Sequence, residues 1–309
     1  MNSRRLSVLL LLALALAGCG GSSSSPPNNS ATTPPPTLPA STHVFLVVLE
    51  NHSFSQVMGN PAMPYFNSLA TRHGLARNYF ANTHPSIGNY FMLTTGLIET
   101  NNDAFGGAVS DNNLVRALTG AGKTWKAYLQ GLPSPGYMAD NAMPYTKVHN
   151  PFAYLTDVTT SGAQAANMVP LGQLSADLSA GAMADFVYIT ADLQNDAHDC
   201  PAAMPVCTDG DRLATADAWL KANIDPIINS PAFANGLLII TFDEGSNTDL
   251  ANGGGQVATV LVGPHVKSGF ASNTFFQHQS TLRTILDTLH VGNLPNAAAG
   301  ANSMSEFFQ

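Results

Sequence analysis

Three short apolar runs that each end in acidic or amide residues constrain this chain more than any other feature of its sequence. The runs are 44–49, 186–190 and 237–242, and they are followed by Glu50-Asn51, by the polar segment 192–198 and by Asp243-Glu244. Runs of this length, rich in β-branched residues and separated by helix-like stretches, predict buried strands of a parallel sheet. Ligands of such sheets bind at the carboxyl ends of the strands. Because carboxylates gathered there repel one another unless a cation or a proton compensates them, the pattern predicts a metal-centred site.

The first 42 residues are predicted to lie outside the folded domain. Residues 1–18 have the form of a lipoprotein signal peptide, with a basic flank, an apolar core too short to span a membrane, and a tetrapeptide 16–19 similar to a bacterial lipobox. In that interpretation Cys19 is lipidated; the alternative is an ordinary signal peptide that happens to contain a cysteine. Residues 19–42, rich in Ser, Pro and Thr, predict a disordered tether. We therefore expect an exported protein, lipid-anchored to a membrane of the bacterial cell envelope, in the periplasm or at the outer membrane.

Residues 43–309 have the size of a single α/β catalytic domain. Charged residues make up only 10% of the chain and the net charge is −8, with no basic patch. This composition argues against nucleic acid as a partner. A phosphate ester remains a possible substrate, because a bound metal can invert the local field. The sequence leaves the oligomeric state open.

Local signals place further elements around these runs. Capping residues and apolar periodicity predict helices over 64–74, 86–96, 113–121 and 211–228 and a last amphipathic helix from residue 278. Additional strands are predicted over 124–129 and 257–262, whereas the proline-rich segment 131–174 is predicted to be a loop.

Two cysteines remain in the domain, Cys200 and Cys207, on a proline-rich segment. An even pair in an exported protein predicts a disulfide. The alternative is a metal-binding thiol pair, although the spacing is not that of a zinc knuckle.

Ser86 is the candidate nucleophile. It precedes a predicted helix, so it would lie among free backbone N–H groups at the positive end of the helix dipole, where anions bind. A cation near its hydroxyl would lower the hydroxyl pKa and activate it. Asn89 lies three residues on and could contact the same anion. The simpler interpretation is that Ser86 is only a helix cap and Asn89 only a polar residue.

The residues after two strands offer oxygen ligands for the predicted metal. Glu50, Asn51, Asp243, Glu244 and the Ser86 hydroxyl form an oxygen-rich set suited to Ca²⁺, Mg²⁺ or Mn²⁺. Zn²⁺ is also compatible, although it usually recruits more nitrogen ligands. The alternative for an Asp-Glu pair is a solvated turn.

Three histidines, His149, His198 and His278, are predicted to lie in loops or at helix starts, where they could contact phosphate, act as a general acid or bind a second metal. A single loop histidine is more often simply solvated. The other histidines, including His52 and His84, are assigned structural or surface roles.

Four segments in this order resemble the bacterial phosphoesterase family, which groups phosphatidylcholine-type phospholipases C with a class of acid phosphatases and belongs with the alkaline phosphatase superfamily. The segments are 50–54 (ENHSF), 86–96 (SIGNYFMLTTG), 195–199 (NDAHD) and 242–245 (FDEG). The resemblance covers nearly all of residues 43–289. It implies a three-layer α/β/α sandwich with a mostly parallel central sheet, as in alkaline phosphatase.

The resemblance also implies roles for individual residues. Ser86 takes the place of the nucleophile and Asn89 that of the phosphate-contacting asparagine. The metal-ligand positions fall on Glu50, Asn51, Asp243 and Glu244, and the phosphate-contacting and catalytic histidines on His149 and His198. A second metal or phosphate contact would use Asp192, Asp196 and His278. One metal is favoured, because the spacing of this second set fits poorly.

The function that follows is a metal-dependent hydrolase of phosphoric esters. We expect a phosphomonoesterase of the acid phosphatase type that acts through a phosphoserine on Ser86, with a small phosphorylated substrate or a phospholipid headgroup as its ligand. Family phospholipases C carry long additional regions, and this chain stops soon after the last motif, which favours the monoesterase. The alternatives are a phospholipase C-type phosphodiesterase and, from another class, a non-catalytic surface lipoprotein that binds metal or a phosphorylated ligand.

Overall fold

The computed structural model describes residues 38–309. The predicted signal peptide, the lipidated Cys19 and residues 20–37 of the tether lie outside the described residues. The last tether residues, in contrast, belong to the domain. Leu38 is only 6% exposed, and the backbone N–H of Ser41 donates to the carbonyl of Thr288 at 2.9 Å. The prediction that the domain begins at residue 43 is therefore corrected, because Leu38 buries its side chain in the core.

Residues 38–309 form ten β-strands, which run in the order His43–Leu49 (β1), Gly74–Ala76 (β2), Tyr79–Phe80 (β3), Trp125–Leu129 (β4), Met168–Pro170 (β5), Phe186–Thr190 (β6), Gly236–Phe242 (β7), Thr259–Val262 (β8), Ala271–Ser272 (β9) and Phe276–Gln277 (β10). Eight of them form one sheet in the order β5-β4-β6-β1-β7-β8-β2-β9, and β3 pairs with β10 separately. All pairs in the large sheet are parallel except β7–β8 and β2–β8. The prediction of a mostly parallel central sheet is confirmed.

The register of the central strands brings the predicted site together. The strand β1 lies between β6 and β7, with Leu49 opposite Phe242 and Val48 opposite Thr190. Since the strands are parallel, the residues that follow them leave the sheet at the same edge and at the same level. Glu50 and Asp243 are therefore neighbours, although 193 positions of sequence separate them.

Nine α-helices lie within the described part of the chain: Phe54–Val57 (α1), Pro64–Arg72 (α2), Ile87–Met92 (α3), Leu114–Gly120 (α4), Thr156–Thr159 (α5), Gly162–Ala165 (α6), Leu174–Ser179 (α7), Asp209–Ile228 (α8) and His278–Thr288 (α9). Short 3₁₀ helices occupy Lys147–His149, Pro151–Tyr154, Leu171–Gln173, Pro231–Phe233, Ala251–Gly253, Asn296–Ala299 and Ser305–Phe307. None of the helices within 38–309 combines the length and the apolar character that crossing a membrane requires.

The helices cover both faces of the sheet. Phe242 faces α2 through Phe66, at 5.9 Å between ring centroids, and Asp217 of α8 accepts hydrogen bonds from the first residues of α2. The preceding residue, Thr241, points to the opposite face, because successive side chains of a strand alternate. There it meets Tyr79, whose hydroxyl lies 2.7 Å from Thr281 of α9. With α3 and α4 packed on α9, the three-layer sandwich is confirmed.

Several predicted boundaries are wrong. The helix after Ser86 ends at Met92 instead of Gly96, and α2 ends two residues before Gly74. The helix α8 begins at Asp209, two residues early, because Thr208 caps it and accepts from the N–H of Asp211. The strand predicted over 257–262 begins at Thr259. The segment 131–174 is not a loop but holds β5, α5, α6 and three 3₁₀ helices, which its prolines concealed because proline is also favoured at the first position of a helix.

Candidate active site

Two carboxylates lie at the centre of the site. Glu50 and Asp243 have no exposed surface. The backbone N–H of Glu50 donates to the carbonyl of Asp196, and that of Asp243 to the carbonyl of Leu49, both at 2.9 Å. Burial, followed by the charge of Asp243, raises the pKa of Glu50 well above its ordinary value. Burial, followed by the charge of Glu244, raises the pKa of Asp243 to about 7. Burial therefore penalises the charged form of both carboxyl groups, and a nearby positive charge would stabilise it.

Ser86 occupies the position before α3 without capping it. Its hydroxyl makes no hydrogen bond to the helix; Asp103 instead accepts from the first helical N–H, that of Ile87, at 3.2 Å. The Ser86 hydroxyl donates to Glu50 Oε2 at 3.2 Å. The two sequence interpretations of Ser86 are therefore distinguished: the hydroxyl faces the carboxylates and is not used as a cap.

Tyr90 is a site residue that the sequence analysis missed. Its hydroxyl donates to Glu50 Oε1 at 2.5 Å, and its side chain is fully buried. Burial, followed by the charge of Glu50, raises the pKa of Tyr90 further above its ordinary value, so the phenol stays protonated as a donor. The helical spacing could have found it, because Tyr90 lies one turn after Ser86 and shares its face.

Asn51 and Asp243 present oxygen atoms that no hydrogen bond satisfies. Asn51 adopts a left-handed backbone, φ 56°, which asparagine tolerates better than most residues. Its N–H donates to Asp243 Oδ1 at 3.2 Å, but Asn51 Oδ1 and Asp243 Oδ2 are buried without a partner. Buried orphan oxygens beside Glu50 are what a hard cation would coordinate.

The predicted ligand set fits such a cation only through oxygens of different kinds. No three histidine, cysteine, aspartate or glutamate side chains form a metal-binding group by themselves in the part of the chain that the structure describes. Glu50 and Asp243 supply carboxylate oxygens, and Asn51 and Ser86 would complete the set with amide and hydroxyl oxygens. Glu244 is nearby but turns toward His84.

His84 is the second missed residue. Its Nδ1 lies 2.9 Å from Glu244 Oε1 and its Nε2 lies 3.0 Å from the carbonyl of Asp249. The Glu244 carboxylate raises the pKa of His84 to about 9, so the imidazole is a cation at neutral pH. Burial raises the pKa of Glu244, and His84 opposes that rise. The position of His84 two residues before Ser86 was the available signal.

Asn89 has a different set of contacts from the one predicted. Its amide oxygen accepts from the N–H groups of Asn82 and Thr83, and its amide nitrogen donates to the Thr83 carbonyl at 2.8 Å and to Glu244 Oε2 at 3.3 Å. Both amide hydrogens are therefore used. A contact between Asn89 and phosphate requires that it release Glu244.

His149 is buried between two carboxyl groups. Its Nε2 lies 3.0 Å from Glu50 Oε1, and its Nδ1 lies 3.2 Å from Asp196 Oδ2. Burial lowers the pKa of His149 to about 3 and raises that of Asp196. A neutral imidazole donates from one nitrogen only, so one of the two facing carboxyls must hold a proton unless a cation takes its place.

His198 lies at the open side of the site. Its side chain is 40% exposed, and its Nδ1 lies 2.8 Å from Asp199 Oδ1. Asp196 Oδ1 accepts from the His198 backbone N–H at 2.9 Å, and Ala197 between them is left-handed, φ 82°. The ring centroids of His198 and His149 are 6.5 Å apart. The two predicted histidines are thus adjacent, one buried and one half-exposed.

The contacts do not support the second-metal set. The ring nitrogens of His278 are both used, Nε2 with the Asp243 carbonyl at 2.5 Å and Nδ1 with the Tyr79 hydroxyl at 3.1 Å. Asp192 Oδ1 accepts from Gln194 and Asn195 within its own turn. Asp196 holds His149 and the His198 backbone. Both ring nitrogens of His278 and one carboxylate oxygen of Asp192 are thus engaged by other groups, and a second metal or phosphate contact at these residues stays a prediction.

Cys200 and Cys207 form a disulfide, so the thiol-pair alternative is excluded. The closed loop joins the His198 segment to the first turn of α8. From that turn, Arg212 Nη1 donates to the His198 carbonyl at 3.2 Å.

A serine and two buried carboxylates thus lie together at the strand ends of a three-layer α/β/α sandwich, the arrangement that the resemblance to the phosphoesterase family implies. Residues 60–292 match the family model described as "Phosphoesterase family". The chain belongs to this family. Glu50 and Asn51 precede the matched residues. Their place in the site rests on the contacts of Glu50 with Ser86 and of Asn51 with Asp243.

Curated relatives carry phosphatase names. The chain is 32% identical over 266 residues to "Phosphatidylinositol-3-phosphatase" of Mycobacterium tuberculosis, covering 84% of this chain and 82% of that protein. It is 26% identical to "Probable acid phosphatase" of Kluyveromyces lactis (80% of this chain, 59% of that one) and to "Acid phosphatase" of Aspergillus fumigatus (85% and 58%). The chain thus spans under two thirds of the length of these two fungal relatives. It is a hydrolase of phosphoric esters, and phosphomonoester hydrolysis is the activity that these relatives support.

Solved structures share the fold at low identity. A protein of the alkaline phosphatase superfamily from Vibrio parahaemolyticus superposes with a TM-score of 0.58 at 11% identity, over 82% of this chain and 67% of that one. The phosphonate monoester hydrolase of Agrobacterium radiobacter gives 0.55 at 15% identity, over 86% and 77%. These likenesses confirm the fold class.

Proposed function

We propose that this chain is a metal-dependent phosphomonoesterase of the acid phosphatase type that forms a phosphoserine on Ser86. One observation carries the proposal. The Ser86 hydroxyl donates to Glu50 where two fully buried carboxylates, Glu50 and Asp243, have no ion pair with any lysine or arginine of residues 38–309. Such a site is costly to a folded protein unless a ligand supplies positive charge.

One divalent cation, Ca²⁺, Mg²⁺, Mn²⁺ or Zn²⁺, would be held by Glu50, Asn51, Ser86, Asp243 and Glu244. When bound, it supplies the positive charge that lowers the hydroxyl pKa and offsets the charge of the transferred phosphoryl group. The unpaired oxygens of Asn51 and Asp243 support this set. We propose a single ion, because His278 and Asp192 are engaged elsewhere.

The protein side chains orient the reaction. Glu50 Oε2 accepts from the Ser86 hydroxyl and is placed to take its proton as Oγ bonds to the phosphorus and the bond between phosphorus and the alcohol oxygen breaks. The Tyr90 phenol and Nε2 of His149 contact Oε1 of the same carboxylate. His198, at the open side, is placed to donate a proton to the departing alcohol oxygen. Water then hydrolyses the phosphoserine and releases phosphate. Fixing these dipoles before reaction is the main contribution that a protein makes to phosphoryl transfer.

The substrate would be a small phosphorylated molecule or a phospholipid headgroup. Lipid anchoring in the bacterial cell envelope remains part of the proposal, and it rests on the lipobox-like residues 16–19. The anchored enzyme would act on esters outside the cytoplasm.

The test compares an aryl phosphomonoester, the matching aryl phosphodiester and phosphatidylcholine as substrates of the full chain, with and without a chelator. We expect monoester turnover that the chelator abolishes and that Ser86→Ala lowers by about 10³-fold or more. Ser179→Ala, at an exposed serine of α7, is the matched control. Preference for the diester or the lipid would indicate a phospholipase C. Turnover of Ser86→Ala within a few-fold of wild type would refute the nucleophile.

A further inference from the structure

A polar pocket opens beside the catalytic centre, on the side away from Ser86. It has a volume of about 260 Å³, and its lining includes Asn51, Gln56, His198, Arg212 and Asn247. A second cavity of about 430 Å³ lies under the disulfide loop and shares His198 and Arg212 with the first. His198 and Arg212 thus line both cavities.

One N–H group of the Arg212 guanidinium, at Nε, has no hydrogen-bond acceptor among residues 38–309. Its Nη1 donates to the His198 carbonyl and its Nη2 pairs with Asp209, but its Nε is buried without a hydrogen-bond partner. A buried N–H that lacks an acceptor is costly and is usually satisfied by water or a ligand. No other arginine or lysine lines either cavity. Arg212 therefore places a cation beside His198 at the edge of both cavities, and one of its N–H groups, Nε, has no acceptor within the described residues.

The pocket lies where a leaving group would depart. Ser86 precedes α3, which packs with α9 on one face of the sheet, whereas Arg212 belongs to α8, which packs with α2 on the other face. Glu50 and Asp243 lie between the two layers, at the ends of β1 and β7. In-line displacement sends the leaving group away from the nucleophile, and hence from the α3 layer toward the α8 layer.

We propose that this pocket binds the alcohol released from the phosphomonoester, and that Arg212 selects a polyhydroxylated alcohol such as a sugar or a cyclitol. The inference rests on the phosphomonoesterase function proposed above. The pocket offers mixed donors and acceptors, from Gln56, Asn247, Asp209 and Arg212, and no large apolar side chain. Such a lining satisfies hydroxyl groups and leaves its own polar groups unpaired against an alkyl chain, which is the stronger basis of discrimination.

The decisive experiment uses two esters of primary alcohols that differ in hydroxyl content, glucose 6-phosphate and n-hexyl phosphate. We expect the wild-type enzyme to have a kcat/KM for the sugar ester about tenfold or more above that for the hexyl ester. Arg212→Met should bring this ratio close to one, mainly through KM of the sugar ester. Lys221→Met is the matched control, since Lys221 lies on the same helix with a 63% exposed side chain and contacts Asp225 and the ring of Tyr65, neither of which lines the pocket; it should keep the wild-type ratio.

A second variant guards against a folding defect. Asn247→Ala leaves the Arg212–His198 contact in place and should lower the ratio by about threefold. Inositol 1-phosphate and phosphatidylcholine vesicles containing a phosphatidylinositol monophosphate then separate the two sources of such an alcohol. Turnover of either, lost in Arg212→Met, supports the pocket and assigns the source.

The inference is overturned if wild type prefers the hexyl ester, or if Arg212→Met and Asn247→Ala keep the wild-type ratio. Failure of the proposed function is a different result, namely no turnover of either ester or of an aryl phosphate.

Discussion

The two sides of the active site balance their charges in opposite ways. On the Ser86 side, Glu50 and Asp243 are fully buried, and neither has a lysine or arginine partner among residues 38–309. On the His198 side Arg212 pairs with Asp209 and the His198 imidazole contacts Asp199, and these side chains are 31–55% exposed. On the first side the buried carboxylates lack a lysine or arginine partner within the described residues, whereas on the second side Arg212 supplies the positive charge opposite Asp209.

This difference suits the two sides to different roles, the Ser86 side to the chemical step and the His198 side to substrate selection. Solvated ion pairs contribute little to stability, so the His198 side can change with little cost and suits substrate selection. Buried carboxylates without a cation are destabilising, and a chain that keeps them trades stability for chemistry. Glu244 is intermediate, since His84 supplies it with a cation from within the chain.

The largest expected effect is that of Asp243→Asn. Under the proposed mechanism kcat/KM falls by about 10³-fold or more, because the site loses charge that the metal needs. The Tm of the metal-free protein should rise at pH 8, because a neutral amide removes a buried charge without a partner. Kinetics and thermal unfolding in chelator measure the two effects, with Asp140→Asn, at an exposed aspartate, as control. A parallel fall in activity and Tm would contradict the comparison.

Next in size is the contrast between His149→Gln and His198→Gln. We expect His149→Gln to lower kcat by about 10²- to 10³-fold and to lower Tm, because it disturbs Glu50 and leaves the buried Asp196 unpaired. His198→Gln should cost about tenfold in kcat with an unchanged Tm, because its ring is half-exposed. Equal losses of Tm in the two variants would show that burial does not separate the two sides.

A smaller effect is the pH dependence of stability in the metal-free protein. The pKa of Asp243 is raised to about 7 by burial and by Glu244, from about 3.9 in an unfolded chain. The protonated form thus stabilises the fold below about pH 4, and this contribution is lost as pH rises through about 7. Tm in chelator should decline over that interval. Added divalent metal or Asp243→Asn should flatten the decline, and a rising Tm would refute the assignment.

The smallest effect is expected from the disulfide. Replacing Cys200 and Cys207 by serine releases an eight-residue loop on the His198 side, with a loss of about 2.5 kcal/mol. We expect KM for glucose 6-phosphate to rise about threefold and turnover of an aryl phosphate to change less than twofold. Reductant added to wild type should reproduce both results. A larger loss of aryl phosphate turnover would mean that the loop supports the Ser86 side as well.

Much of the fold could be predicted from local pattern. The runs that became β1, β6 and β7 are uninterrupted apolar segments, and a parallel sheet buried on both faces is the structure that satisfies them. The segment 131–174 was mispredicted because proline and glycine mark loops and short helices alike.

The candidate site was predicted in part for the same reason. Three of the site residues directly follow predicted strands, and strand direction brings them to one edge of the sheet: Glu50, Asn51 and Asp243. Ser86 directly precedes a predicted helix. Tyr90 and His84 were missed because their roles depend on contacts with residues far away in sequence. For His278, a histidine at a helix start gives no sign in the sequence that its ring will contact the carbonyl of Asp243, 35 positions away.

Local pattern was enough to predict the class of fold, the edge of the sheet that carries the site and the meeting of Glu50 and Asp243 there, because hydrophobic periodicity and strand polarity are local properties. Ser86 was assigned to the site by the resemblance of its segment to the phosphoesterase family. The three-dimensional contacts were needed to show which carboxylates have a cationic partner, which histidine is buried and which cavities Arg212 lines. Those outcomes depend on burial and on distances of a few ångströms between side chains from different layers, and no local pattern encodes them.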